Sequence, residues 1–335
     1  MQAAIYGLAG PVLTPDEIGL FRDADPVGYI LFRRSCETRE QLKALTASLR
    51  DLHGRDDLPI LIDQEGGRVA RMRSPEWPAF PANEAFDRLY RLAPSSAMQA
   101  ARWNARAIAL TLCEVGITVD CLPMLDVRQP GASDIIGDRA LGEEPMQVAA
   151  LGRAQLEGLA SAGVVGVVKH IPGHGRALVD SHVDLPVVDA TEAELAIDLA
   201  PFERLADAPM GMTSHIVYRA WDAGRPASQS PVVIGDVIRQ RIGFGGFLMS
   251  DDIGMEALSG DSGERAAACV AAGCDAALHC SGRIEEMLLV AAAVPALSTT
   301  AEASLARAMT ARFTDGDGMS LEEAIATRDT LLALA

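Results

Sequence analysis

Eight short apolar runs, each bounded by glycine, proline or a polar cluster, recur along this 335-residue chain: Tyr6–Gly10, Gly28–Phe32, Pro59–Glu65, Ile117–Val127, Val164–Gly173, Met210–Tyr218, Gly246–Ile253 and Cys274–Cys280. They do not alternate polar with apolar residues, so each reads as a strand buried on both faces, as in a parallel sheet covered by helices. Helix signals lie between them. Thr38-x-x-Gln41 is a capping box leading into Leu42, Leu45, Leu49 and Leu52, and Thr191-x-x-Glu194 opens a second stripe of Leu195, Leu199, Phe202 and Leu205. Ser230-Pro231 supplies an N-cap and a first-turn proline, with Gly243 as the stop, while Gly116, Gly163 and Gly273 punctuate helix-to-strand passages. Eight βα units predict an α/β fold, a TIM-type (β/α)8 barrel forming a single domain over residues 1–335, with terminal helices after about residue 295 packed on its outside. Aromatics are only 4% of a chain that is 49% apolar, so Ala, Val, Leu and Ile must fill that core.

Several function classes lose support at once. A net charge of −17 repels phosphate backbones and anionic lipid, which argues against nucleic acid and membrane partners. No run reaches the length of a membrane span, and Met1-Gln2-Ala3-Ala4-Ile5 lacks a basic leader, so a cytoplasmic protein is expected. The six cysteines form no Cys-x-x-Cys pair and read as buried thiols. No dinucleotide or P-loop glycine motif follows any strand. No cofactor and no metal are expected.

A barrel places its chemistry at the C-terminal ends of its strands, and here those ends are crowded with polar groups. The third run ends in Asp63-Gln64-Glu65-Gly66-Gly67-Arg68, followed by Arg71, and the fourth passes Asp126 towards Asp138 and Arg139. The fifth ends in Lys169-His170-Ile171-Pro172-Gly173-His174-Gly175, then Asp180-Ser181-His182; the sixth ends in Thr213-Ser214-His215 and the seventh in Ser250-Asp251-Asp252. Any one of these is more simply a cap or a salt-bridge partner. Five charged strand ends on one rim, however, call for a polar ligand, and a carbohydrate fits. Asp180 stands one residue from His182, so its carboxylate can fix the tautomer of a proton-carrying imidazole. Of Asp251 and Asp252, strand alternation puts one in the mouth and turns the other to brace the following helix.

From about Gly7 to Cys280 the chain resembles the family 3 glycoside hydrolases, through Leu61-Ile62-Asp63-Gln64-Glu65-Gly66-Gly67-Arg68-Val69, Ile136-Gly137-Asp138-Arg139, the Lys169–Gly175 segment with Asp180-Ser181-His182, and Ser250-Asp251-Asp252. The resemblance implies a retaining enzyme that removes non-reducing terminal GlcNAc, with GlcNAc-1,6-anhydro-MurNAc muropeptides of cell-wall recycling as substrates and a monomer as the working form. It implies Asp251 as nucleophile, His182 as acid/base, Asp180 as its partner, and Asp63, Arg71, Arg139, Lys169 and His170 as sugar-binding residues. Ile171 stands where the family usually has Phe, and Ser35 where Asn is common. Two other chemistries remain open: phosphorolysis of the same bond, and a metal-dependent barrel hydrolase using His170, His174, His182, Asp180 and Asp251.

Overall fold

The computed structural model describes residues 1–131, 133–181, 184–312 and 318–335. Eight parallel strands close into a barrel: β1 Gln2–Gly7, β2 Pro26–Leu31, β3 Ile60–Ile62, β4 Val119–Asp120, β5 Val165–Ile171, β6 Met210–Thr213, β7 Phe247–Asp252 and β8 Ala276–His279. Each pairs with its sequence neighbours, and β1 pairs with β8 to close the ring. The strands are buried along nearly their whole length, which is why their sequences read as runs rather than alternations.

Every predicted run contributes a barrel strand, though several are shorter than expected. The first lies earlier, at Gln2–Gly7, because Gln2 donates through Nε2 to the carbonyls of Ala291 and Val294 and so satisfies a polar group inside the strand. The fourth pairs only at Val119–Asp120 beyond isolated contacts, since Pro123 has no N–H to donate and the chain from Cys121 to Val127 runs irregularly. The sixth ends at Thr213; Val217–Tyr218 instead pairs with Val187–Val188 outside the barrel. The third gives way after Ile62 to a hairpin of Gln64–Gly66 with Val69–Ala70.

The helices cover the barrel through the stripes read from sequence. In the helix Arg39–His53 Leu42, Leu45 and Leu49 are buried, each contributing roughly 1.5–3 kcal/mol of apolar burial. Thr38 accepts from the Gln41 N–H, but Gln41 returns its oxygen to Glu37 N, so the box is only half formed. Thr191 and Glu194 cap Glu192–Arg204 reciprocally. Ser230 Oγ accepts from Val233 N at 3.1 Å to start the π-helical segment Val233–Arg241, and Gly243 follows its end in a left-handed conformation. The helix Leu321–Leu332 packs on Pro94–Glu114, where buried Arg328 donates to Asn104 Oδ1 at 3.1 Å. Five cysteines are buried thiols; Cys113 is exposed, against expectation. Among the described residues no helix is long and apolar enough to cross a membrane.

Candidate active site

The strand ends converge on a cavity of about 240 Å3. Asp63, Arg71, Arg139, Lys169, His170 and Asp251 all line it, together with Glu65 and Asp252, while Ile30, Phe32, Met212, Met255 and Leu278 supply an apolar wall. That volume is below the several hundred Å3 of a drug-sized pocket and suits one sugar ring with a small substituent.

Two carboxylates and three cations form an alternating chain along one side. Lys169 Nζ lies 2.6 Å from Glu65 Oε1 and 2.9 Å from Asp63 Oδ1; Arg139 forks onto both Glu65 oxygens at 2.8 and 2.9 Å; Arg71 reaches Asp63 Oδ2 at 3.0 Å. Burial alone would discharge Lys169, but Asp63 and Glu65 outweigh it and hold its ammonium above the ordinary lysine range. Burial likewise favours protonated Glu65, yet Arg139 and Lys169 hold its pKa at about 2. Asp63 is also depressed, with Lys169 and Arg71 overcoming burial. Asp120, whose Oδ1 accepts from Gln64 N at 3.0 Å, has its pKa pushed well up by burial.

Two loops carry these groups to the mouth. In the Gly66-Gly67 turn a Cβ on Gly66, whose φ is +97°, would lie 2.2 Å from the Pro81 carbonyl oxygen, so only glycine lets the hairpin close against that backbone. At its tip Arg68 bonds Asp138 at 2.8 Å and the carbonyls of Asp134 and Ile135 at 2.6 and 2.9 Å. This fastens the hairpin to the segment bearing Arg139, and Val69 and Ile135 face the cavity from either side.

Around Asp251 the backbone is held from several directions. Ser250 Oγ donates to the Asp251 carbonyl and accepts from Leu278 N at 3.0 Å, and Asp251 Oδ1 accepts from Asp252 N at 2.8 Å. Asp252 does not brace the following helix. The register against β8 shifts between Met249 and Asp252, breaking the alternation, so both carboxylates line the cavity while Asp252 Oδ1 accepts from Gly254 N and Cys280 N. Buried His215 bonds the Asp252 carbonyl at 3.0 Å and Ser228 at 2.7 Å, and burial lowers its pKa.

Behind Lys169 and His170 the loop from Pro172 to Ser181 is clipped down. Tyr218 Oη donates to the Gly173 carbonyl at 2.7 Å, Ser133 N to Ala177 O at 2.9 Å, and His174 Nε2 meets Ser181 Oγ at 3.2 Å. Burial and neighbouring His170 lower the His174 pKa to about 4, leaving a neutral ring at physiological pH. Asp180 is half-buried on this loop and is not among the residues lining the cavity. His182 lies outside the described residues. A Cβ on Gly175 would sit 1.8 Å from the Val127 carbonyl oxygen. Gly175→Ala is therefore expected to destabilise the fold by roughly 1–3 kcal/mol of steric displacement, and to reduce activity; a thermal midpoint and kcat/KM matching wild type would contradict this.

The site includes two residues that the sequence reading had not singled out. Glu65 lies two residues from Asp63, a spacing that shares a face in extended chain, and that period could have found it. Asp126, the last polar group of the fourth run, bonds His170 Nδ1 at 2.7 Å.

Comparison with known proteins agrees with this architecture. The model of the glycosyl hydrolase family 3 N-terminal domain matches residues 22–311. A β-hexosaminidase from Aromatoleum aromaticum is 38% identical over 279 residues, covering 82% of this chain and 78% of that protein. NagZ from Neisseria gonorrhoeae, solved with N-trifluoroacetyl-D-glucosamine, superposes with a TM-score of 0.86 at 31% identity, covering 100% of this chain and 98% of that one. A family 3 β-N-acetylglucosaminidase from a Paenibacillus strain gives 0.87 at 28% identity, over 98% of this chain and 66% of that one. The barrel, its charged mouth and these matches place the chain in glycosyl hydrolase family 3.

Proposed function

We propose that this enzyme is a retaining exo-β-N-acetylglucosaminidase that hydrolyses terminal GlcNAc through a covalent glycosyl–Asp251 intermediate. The observation that carries the reading is the shared cavity: a buried carboxylate at Asp251 lines the same one-sugar space as the Asp63–Lys169–Glu65–Arg139 chain. Asp63, Arg71, Arg139, Lys169 and His170 hold the hydroxyl and acetamide groups. In the first step Asp251 attacks the anomeric carbon as protonated His182 gives its proton to the departing oxygen, breaking the glycosidic bond. In the second, neutral His182 takes a proton from water as the water oxygen displaces the Asp251 carboxylate. Asp180 orients that imidazole. Names of relatives support the substrate class: β-hexosaminidase for the curated proteins and a glucosamine derivative bound to NagZ.

We further assign the aglycone to 1,6-anhydro-MurNAc muropeptides released during cell-wall recycling, and the working form to a cytoplasmic monomer; the six cysteines, all present as thiols, suit a reducing compartment. Metal-dependent hydrolysis fits the donors poorly: of His170, His174, Asp180 and Asp251, His170 and Asp251 line the cavity, and among the described residues no group of three or more His, Cys, Asp or Glu side chains is placed to hold a metal ion.

The test is turnover of an aryl β-N-acetylglucosaminide in phosphate-free buffer containing EDTA, with the first-formed anomer read by NMR. Release of β-GlcNAc supports the assignment. An α-anomer as first product, a requirement for added metal, or GlcNAc-1-phosphate formed only on adding phosphate would each overturn it.

A further inference from the structure

His170 has two ring nitrogens, and the fold disposes of one of them. Asp126 is fully buried behind His170 rather than in the cavity. Its Oδ2 lies 2.7 Å from His170 Nδ1, and its Oδ1 accepts from the backbone N–H of His174 at 2.6 Å and of His170 at 3.3 Å. Two backbone N–H donors on one carboxylate favour its ionised form, and an ionised carboxylate only accepts. The proton in the ring contact therefore belongs to Nδ1. The remaining nitrogen, Nε2, is the one His170 can offer to the cavity it lines. The cations lining that cavity, Lys169, Arg71 and Arg139, are donors without acceptor capacity, and Asp63, Glu65, Asp251 and Asp252 are the carboxylate acceptors.

We propose that Asp126 is a positioning residue that fixes His170 as its Nδ1–H tautomer, so that Nε2 accepts a hydrogen bond from a sugar hydroxyl. This rests on the reading that His170 touches the sugar. A hydroxyl both donates and accepts, so a cavity edge offering a cation beside an accepting ring nitrogen satisfies both ends of it. Asp126 thus governs which way that hydroxyl points without contacting it.

The experiment is a long-range proton–nitrogen spectrum of the histidine rings in mildly alkaline buffer, for wild type and Asp126→Asn, with His170→Gln identifying the signal among six histidines. Wild type is expected to show a protonated Nδ1 and a bare Nε2. In Asp126→Asn the amide turns its NH2 to the ring and the tautomer inverts, with kcat/KM falling by about 10- to 100-fold as the sugar hydroxyl loses its acceptor at Nε2, mainly through KM. A wild-type His170 carrying a proton on Nε2 overturns the proposal, even where the variant does not fold. So does a folded variant whose tautomer is unchanged, or one whose tautomer inverts without loss of activity. Full activity of His170→Gln would instead remove the sugar contact, whatever tautomer is found.

Discussion

Asp251→Ala is expected to lower kcat on the order of 10⁴-fold or more, because in the proposed mechanism the residue supplies the bond that divides one difficult displacement into two. The fold should survive, since the contacts that shape this turn come from elsewhere: Ser250 Oγ on Leu278 N, Asp252 on Gly254 and Cys280, and His215 on the Asp252 carbonyl. The exchange also leaves a small space beside a buried backbone, into which a small anion such as azide can enter. Azide is expected to restore turnover of an activated aryl substrate and to give the α-glycosyl azide, by direct attack on the face that Asp251 occupied. A variant within tenfold of wild type, or a rescued product of β configuration, would remove Asp251 from the nucleophile's position. Asp252→Ala is the companion measurement. It loses two backbone anchors rather than a reacting atom, so its defect should not respond to azide.

Glu65→Gln should cost about 3–5 kcal/mol of stability, the range for removing one partner from a buried ion pair. Lys169, 2% exposed, would keep Asp63, whereas Arg139 would keep one acceptor oxygen and meet an NH2 with the other arm of its fork. The pH dependence is a second signature. Glu65 is held at about 2 in the fold against an ordinary value of 4.5, so as pH falls the unfolded chain takes up its proton first. The stabilisation is complete above that ordinary value and is lost as pH falls to about 2; Asp126, likewise held at about 2, adds to the same loss. Chemical denaturation across this acid range should therefore show a shallower pH slope for the variant than for wild type. A variant within about 1 kcal/mol of wild type, or one with an unchanged acid slope, would mean that the bridge contributes little to holding the fold.

The barrel was legible because parallel strands covered by helices need long apolar side chains on both faces, and such runs stand out between capped helices. What escaped lies where the ladder stops. Pro123 breaks the fourth strand, the hairpin after Asp63 interrupts the third, and a register shift before Asp252 turns two adjacent carboxylates into one cavity. Residue spacing encodes the direction of a side chain only while the strand is regular. The cavity of this fold is built where it ceases to be, so Asp63, Lys169 and Asp251 could be placed at its mouth by type and order while the alternate face expected for the carboxylate next to Asp251 failed. Asp126 was passed over for a different reason: its role is set by His170, 44 residues away in sequence, and no local pattern reports such a pairing; the two-residue period from Asp63 marks Glu65 but not its bond to Arg139, 74 residues on.

The alternating chain from Arg71 through Asp63, Lys169 and Glu65 to Arg139 also bears on the entropy of binding. Lysine and arginine carry about 2 kcal/mol of rotamer freedom each, more than most side chains. In a site where such groups swing in solvent, a sugar must immobilise them as it arrives. Here Lys169 and Arg139 are nearly immured, each held on more than one carboxylate oxygen, so their freedom is surrendered when the chain folds. The ligand meets a rigid template, and the disorder it must remove is chiefly its own and that of the water it displaces.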